Sequence, residues 1–273
     1  MINLLEQINK YIEEGYNDIY ASAKVAQDII LSYLFNSKYK NNITIKGGVV
    51  MFNLTNDKRR ATIDIDIDLI RVYLENDNLY KIFSGTKLNG IEICVDNLNN
   101  TELKHQEYKR KRNPITIKDT FNNEITTKID VGVHTEYNIL QDEICFDTCV
   151  EKEKIKLLVN SKEQIFVEKI IPIIKFGNLS TRYKDFYDLY WLIVNGDLNK
   201  ENVIKIMDEK IFNYKINNIN NMLKVIELIE NILSNKRFLE KLNDRKNNWI
   251  EIDNDNLKKI IIDYLESLIV VKV

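Results

Sequence analysis

Three aspartates alternate with isoleucine in the run Thr62-Ile63-Asp64-Ile65-Asp66-Ile67-Asp68-Leu69. A period of two is strand geometry, which sends Asp64, Asp66 and Asp68 to one face and the isoleucines to the other. Aspartate is a poor strand residue, and like charges on one sheet face repel. Solvent, basic neighbours or a divalent cation relieve that repulsion. Grouped carboxylates suit Mg²⁺ or Mn²⁺, hard ions that take oxygen ligands, and Mg²⁺ also binds substrate phosphates. Taken alone, the run is equally well read as a solvated acidic face.

Two further features bear on the choice. A short predicted strand, Ile43-Thr44-Ile45, runs into Lys46-Gly47-Gly48, and a short helix over Val49–Leu54 is expected next. Glycine lets a backbone approach a phosphate closely, and the first amides of a helix face an anion. A plain turn is the simpler use of two glycines, but Gly48 lies sixteen residues before Asp64, far enough for a helix and a return strand. Asp130 sits in a predicted strand over 124–133, with Ile129 and Val131 turned inward. If that strand pairs beside 62–70, Asp130 is a third carboxylate; otherwise it is a strand-end aspartate in solvent.

These residues need a scaffold, and composition permits one. With 273 residues and 44% hydrophobic content the chain can bury a substantial core in one large or two smaller domains. A net charge of −2 gives no global signature of a nucleic-acid binder. Cys94, Cys145 and Cys149 form no C-x-x-C, and with only His105 and His134 besides, a zinc site is poorly supplied. Free thiols, no signal-peptide pattern and no transmembrane-length apolar segment lead to the expectation of a cytoplasmic protein without membrane contact.

Helical spacing covers 3–14 and 18–36, the second through Ile19, Ala23, Ala26, Ile30 and Leu34. Beta-rich segments follow at 91–95, 114–118, 124–133, 144–150 and 154–159. From about 162 the pattern is helical: 162–176, 180–195, 199–208, 217–234, 236–248 and 254–270. The fold class is therefore α+β, a mixed sheet flanked by helices and followed by a C-terminal helical bundle, with domains over 1–160 and 161–273 or, equally, one α+β unit with its helices grouped at the C-terminus. Pro172 removes a hydrogen bond inside its helix. Ser180 or Thr181 is placed to cap the next helix, whose Tyr183, Phe186, Tyr187, Tyr190 and Trp191 form an apolar packing stripe. On that helix Arg182 with Asp185 and Lys184 with Asp188 have the spacing of surface ion pairs.

Lys46-Gly47-Gly48 and Arg60-Ala61-Thr62-Ile63-Asp64-Ile65-Asp66 resemble the G-G and R-x-T-x-D-x-D motifs of the AbiEii/AbiGii toxin family, nucleotidyltransferases of the DNA-polymerase-β-like superfamily. Glu168-Lys169, then Gly177, then Arg182-Tyr183-Lys184-Asp185-Phe186-Tyr187-Asp188 are similar to the family's second signature. The resemblance spans roughly 43–195 and implies a nucleotidyltransferase fold in the first domain. It implies Mg²⁺ or Mn²⁺ on Asp64, Asp66 and Asp130, and the triphosphate of an NTP on Gly47 and Gly48. Lys169 would offset phosphate charge, Lys184 and Asp185 would close the nucleotide pocket, and Arg60 would contact phosphate or brace the acidic strand. Val49 and Val50 stand where many nucleotidyltransferases carry a hydroxyl, so backbone amides would have to suffice. The implied acceptor is RNA, at the 3′ end of tRNA, and the implied partner a cognate antitoxin.

Two features bear on the acceptor. Lys109-Arg110-Lys111-Arg112, with Tyr108 beside it, suits an RNA backbone, although such runs are usually solvated loops or hairpins. Lys236, Arg237, Lys241, Arg245 and Lys246 form a second basic cluster, interrupted by Glu240 and Asp244. Two other readings stay open: transfer of AMP or UMP to a protein hydroxyl, and a nucleotide-binding interaction module without turnover.

Overall fold

The computed structural model describes residues 1–70, 82–83, 88–95, 101–102, 110–134 and 140–270. The chain divides into two compact units, Met1–Asn160 and Ser161–Val273.

The first unit opens with α1 (Leu4–Glu13) and α2 (Asp18–Asn36), each capped by an asparagine side chain, Asn3 and Asn17. Most of α2 is buried: Ala23, Ala26, Ile30 and Leu34 as the spacing predicts, together with Gln27 and Asp28, whereas Ile19 points outward at 64% exposure. The charge on Asp28 is met by Lys24, by the Tyr11 hydroxyl at 2.5 Å and by the Cys149 amide at 3.1 Å. Burial and the adjacent Asp28 carboxylate push the Cys149 thiol pKa well above its ordinary value.

A mixed sheet follows. Its strands are β1 (Ile43–Lys46), β2 (Ile65–Ile70), β3 (Glu92–Val95), β4 (Thr101–Glu102), β5 (Arg110–Lys118), β6 (Glu124–His134), β7 (Gln141–Phe146) and β8 (Ile155–Asn160). They run in the order β3-β5-β6-β2-β1-β8-β7, with β4 also on β5. The pairs β2–β6 and β1–β8 are parallel; the others are antiparallel. The alternation of β2 holds, since Ile65, Ile67 and Leu69 are fully buried. The strand nevertheless starts at Ile65; ahead of it, the Thr62 carbonyl accepts from Gln27 Nε2 at 2.8 Å. The expected strand over 144–150 lies instead at Gln141–Phe146, with Thr148 and Cys149 turned toward Ser32 and Asp28 of α2. Between β1 and β2 stand α3 (Gly48–Thr55) and a short 3-10 turn, Lys58–Arg60.

The second unit is helical: α4 (Lys162–Phe176), α5 (Tyr183–Asn195), α6 (Lys200–Met207), α7 (Met222–Ile232), α8 (Lys236–Leu242) and α9 (Asn254–Val270). Ser161 caps α4, which runs through Pro172 and ends at Gly177 with φ +51°. Ser180 does not cap α5; its Oγ accepts from the Arg182 amide at 3.2 Å, and the helix starts at Tyr183. Phe186 and Tyr187 are fully buried; Phe186 packs edge-on against Phe238, and the Tyr187 hydroxyl donates to the Leu242 carbonyl at 3.0 Å. The aromatic stripe is thus core, as its spacing predicts.

Candidate active site

Register assembles the site. Lys46 on β1 lies opposite Asp66 on β2, Asp66 lies beside Asp130 on β6, and Asp130 lies opposite Arg112 on β5. Four charged residues therefore form one row across four adjacent strands, spaced by the ~4.8 Å between neighbours. Asp130 joins the acidic strand because β6 pairs with β2 in parallel. Asp64 stands just ahead of β2 and is exposed.

Asp130 is 93% buried by its 7% exposure, and both its oxygens are engaged. Arg112 Nε donates to Oδ1 and Nη2 to Oδ2, each at 2.7 Å, the planar fork that matches a carboxylate. The Arg112 pKa is held above its ordinary value, first by these hydrogen bonds; partial burial opposes the rise, and the charges of Asp130, Asp64 and Asp66 add to it. The three carboxylates named by the sequence thus act on one guanidinium.

Asp68 has a different setting. It is fully buried, and Lys46 Nζ, also buried, lies 2.5 Å from its Oδ2. The third aspartate of the run therefore belongs to a buried ion pair inside the sheet.

The two glycines are required by what lies against them. Gly47 has φ +68°, and a Cβ there would come within 2.4 Å of Asp66 Oδ2; a Cβ on Gly48 would come within 2.7 Å of Thr62. The backbone at the start of α3 is thus packed directly on the carboxylate strand. Gly47→Ala is expected to cost about 2–4 kcal/mol, combining left-handed strain with displacement of Asp66. Gly15→Ala, where φ is also positive but nothing lies within 4 Å, should cost about 1 kcal/mol. Urea denaturation of both variants checks the difference, and equal losses would remove the close-approach explanation.

Among the described residues, no group of three or more His, Cys, Asp or Glu side chains is arranged as a metal centre. The donor chemistry still fits a hard divalent cation. Asp64 is exposed and Asp66 half-buried, both offering carboxylate oxygens at the mouth of β2. Asp130 is the neighbour that would complete the set, and in this structure Arg112 holds it.

The second signature builds a buried triad. Lys169 on α4 reaches Asp185 Oδ1 at 2.9 Å and Asp188 Oδ2 at 2.5 Å on α5, and all three residues are at most 8% exposed. Asp188 thus faces Lys169, while Arg182 approaches Asp185 Oδ2 only at 3.8 Å. Lys184 is half-buried on α5, and Arg60 is buried in the turn before Thr62.

The basic run divides by strand geometry. Lys104, His105, Tyr108 and Lys109 lie outside the described residues, and 110–112 belong to β5, where Arg112 shares the carboxylate face and Lys111 occupies the other. Arg112 is the site member that the sequence reading missed. Counting six residues outward from the Lys118–Glu124 pair of the β5–β6 hairpin brings Arg112 opposite Asp130, but the predicted strand began at 114 and stopped short of it.

A family model described as "Nucleotidyl transferase AbiEii toxin, Type IV TA system" matches residues 29–252. Comparison with curated proteins found no match. The family match covers most of the chain, including both motif groups and the Asp66–Asp130 row, and so the chain belongs to the AbiEii family of nucleotidyl transferase toxins of type IV toxin–antitoxin systems.

Proposed function

We propose that this toxin transfers a nucleotide from an NTP to a hydroxyl at the 3′ end of tRNA, with pyrophosphate as the leaving group. The observation that carries the reading is the cross-strand row in which Asp66 and Asp130 stand side by side behind the Gly47–Gly48 turn. Asp64 and Asp66 hold the divalent cation, which when bound offsets triphosphate charge and lowers the pKa of the attacking hydroxyl. The amides of Gly48 and Val49, opening α3, face the phosphates, so backbone donors serve where no hydroxyl side chain is present. Asp130 orients the acceptor hydroxyl and takes up its proton. The family supports an NTP substrate and a cognate antitoxin. The RNA acceptor rests on that membership and on the basic residues of β5, which position a phosphate backbone without reading its sequence.

The test is transfer from each α-labelled NTP, with Mg²⁺, to total bacterial tRNA, with Asp64→Asn as control. Label on tRNA from the unmodified protein alone is the expected outcome and names the donor. Label on protein transfers the reading to AMP or UMP modification of a protein hydroxyl. NTP binding without pyrophosphate release overturns catalysis in favour of an interaction module.

A further inference from the structure

Arg112 takes more of Asp130 than a structural ion pair needs. Its fork covers both carboxylate oxygens at 2.7 Å, on a side chain that is itself 36% exposed. Its charge also acts on Asp64 and Asp66. A cation approaching Asp66 therefore meets a fixed positive charge one strand away, on the neighbour it would share. The opposite end of the row is closed differently: Lys46 is buried and its ammonium pairs with Asp68. The row thus has one cation locked into the sheet and one at its half-exposed rim.

We infer that Arg112 is a positioning residue that latches Asp130, and that Asp130 becomes available to a divalent cation only when this guanidinium lets go. The inference rests on the carboxylate site proposed above. The latch keeps Asp130 oriented and its charge screened from Asp66. Release leaves Arg112 at the rim of the same face, where the incoming acceptor phosphate is the natural partner for its fork.

Binding of Mn²⁺ alone, followed through the electron paramagnetic resonance signal of free aqueous Mn²⁺, tests this without catalysis. Arg112→Gln should bind Mn²⁺ about tenfold more tightly than the unmodified protein, and Arg112→Lys, which keeps charge but loses the fork, should gain less. The gain should largely vanish when Arg112→Gln is placed on Asp130→Asn, since the latch is then already open. Unchanged affinity in Arg112→Gln, or an equal gain in the Asp130→Asn background, overturns the latch and leaves the metal site standing. Asp66→Asn separates the two ideas: if it binds Mn²⁺ as well as the unmodified protein does, the carboxylate site itself fails, and the latch with it.

Discussion

Asp66→Asn is expected to leave a folded protein whose nucleotide transfer falls by at least about 10³-fold, the loss that removal of one member of a catalytic unit brings. Asparagine keeps the shape that packs against Gly47 but offers a cation only a neutral amide oxygen. It also relieves the repulsion between neighbouring carboxylates on β2 and β6, so stability should change by less than about 1 kcal/mol. Asp68→Asn should behave in the opposite sense. It removes the negative charge from a buried pair with Lys46, for which about 3–5 kcal/mol is the usual cost. Two identical substitutions two residues apart thus separate chemistry from packing. Urea midpoints and single-turnover transfer rates, measured together, provide the readout. Substantial transfer by Asp66→Asn would end the carboxylate mechanism.

Lys169→Met should unfold the helical unit at a much lower denaturant concentration. Asp185 and Asp188 face the same ammonium within α4 and α5, and removing it leaves two buried carboxylates to repel. The expected loss is about 3–5 kcal/mol. Neutralising the whole triad, Lys169→Met with Asp185→Asn and Asp188→Asn, should recover much of that loss, because a buried charge set costs most when it is incomplete. A lysine whose main task is to offset phosphate charge gives the reverse pattern: NTP affinity collapses while the urea midpoint stays put. Denaturation and nucleotide binding measured on the same variant decide between the two.

The contrast between Asp66 and Asp68 also marks how far the sequence could be read. Alternation put both residues on one face, and the structure agrees, but period two carries no information on depth. What pairs with the buried Asp68 is Lys46, a residue brought into reach by the antiparallel register of β1 on β2. The helices were legible because their spacing and caps are local: α1, α2, α4 and α9 lie where their apolar periods place them. The sheet order was not, since β6 enters between β2 and β5 from far along the chain. Asp130 was legible as a candidate because its strand reads clearly, whereas Arg112 was submerged in a run of like charges. A basic run suggests a solvated loop or hairpin, and here it opens a nine-residue hairpin strand in which alternation divides Lys111 and Arg112 between two faces.

The same topology bears on how fast the protein is made ready. Ile45 is paired with Val159, and Asp66 with Asp130, so the middle of the sheet closes only across long stretches of chain. Non-local pairing of this kind makes folding slower than in a chain of the same size built from local contacts. A nascent chain carries both motif aspartates well before β6 and β8 have been synthesised, and during that interval it has an acidic segment but no assembled row. The Asp66–Asp130 row is therefore a property of the finished sheet and of neither motif alone.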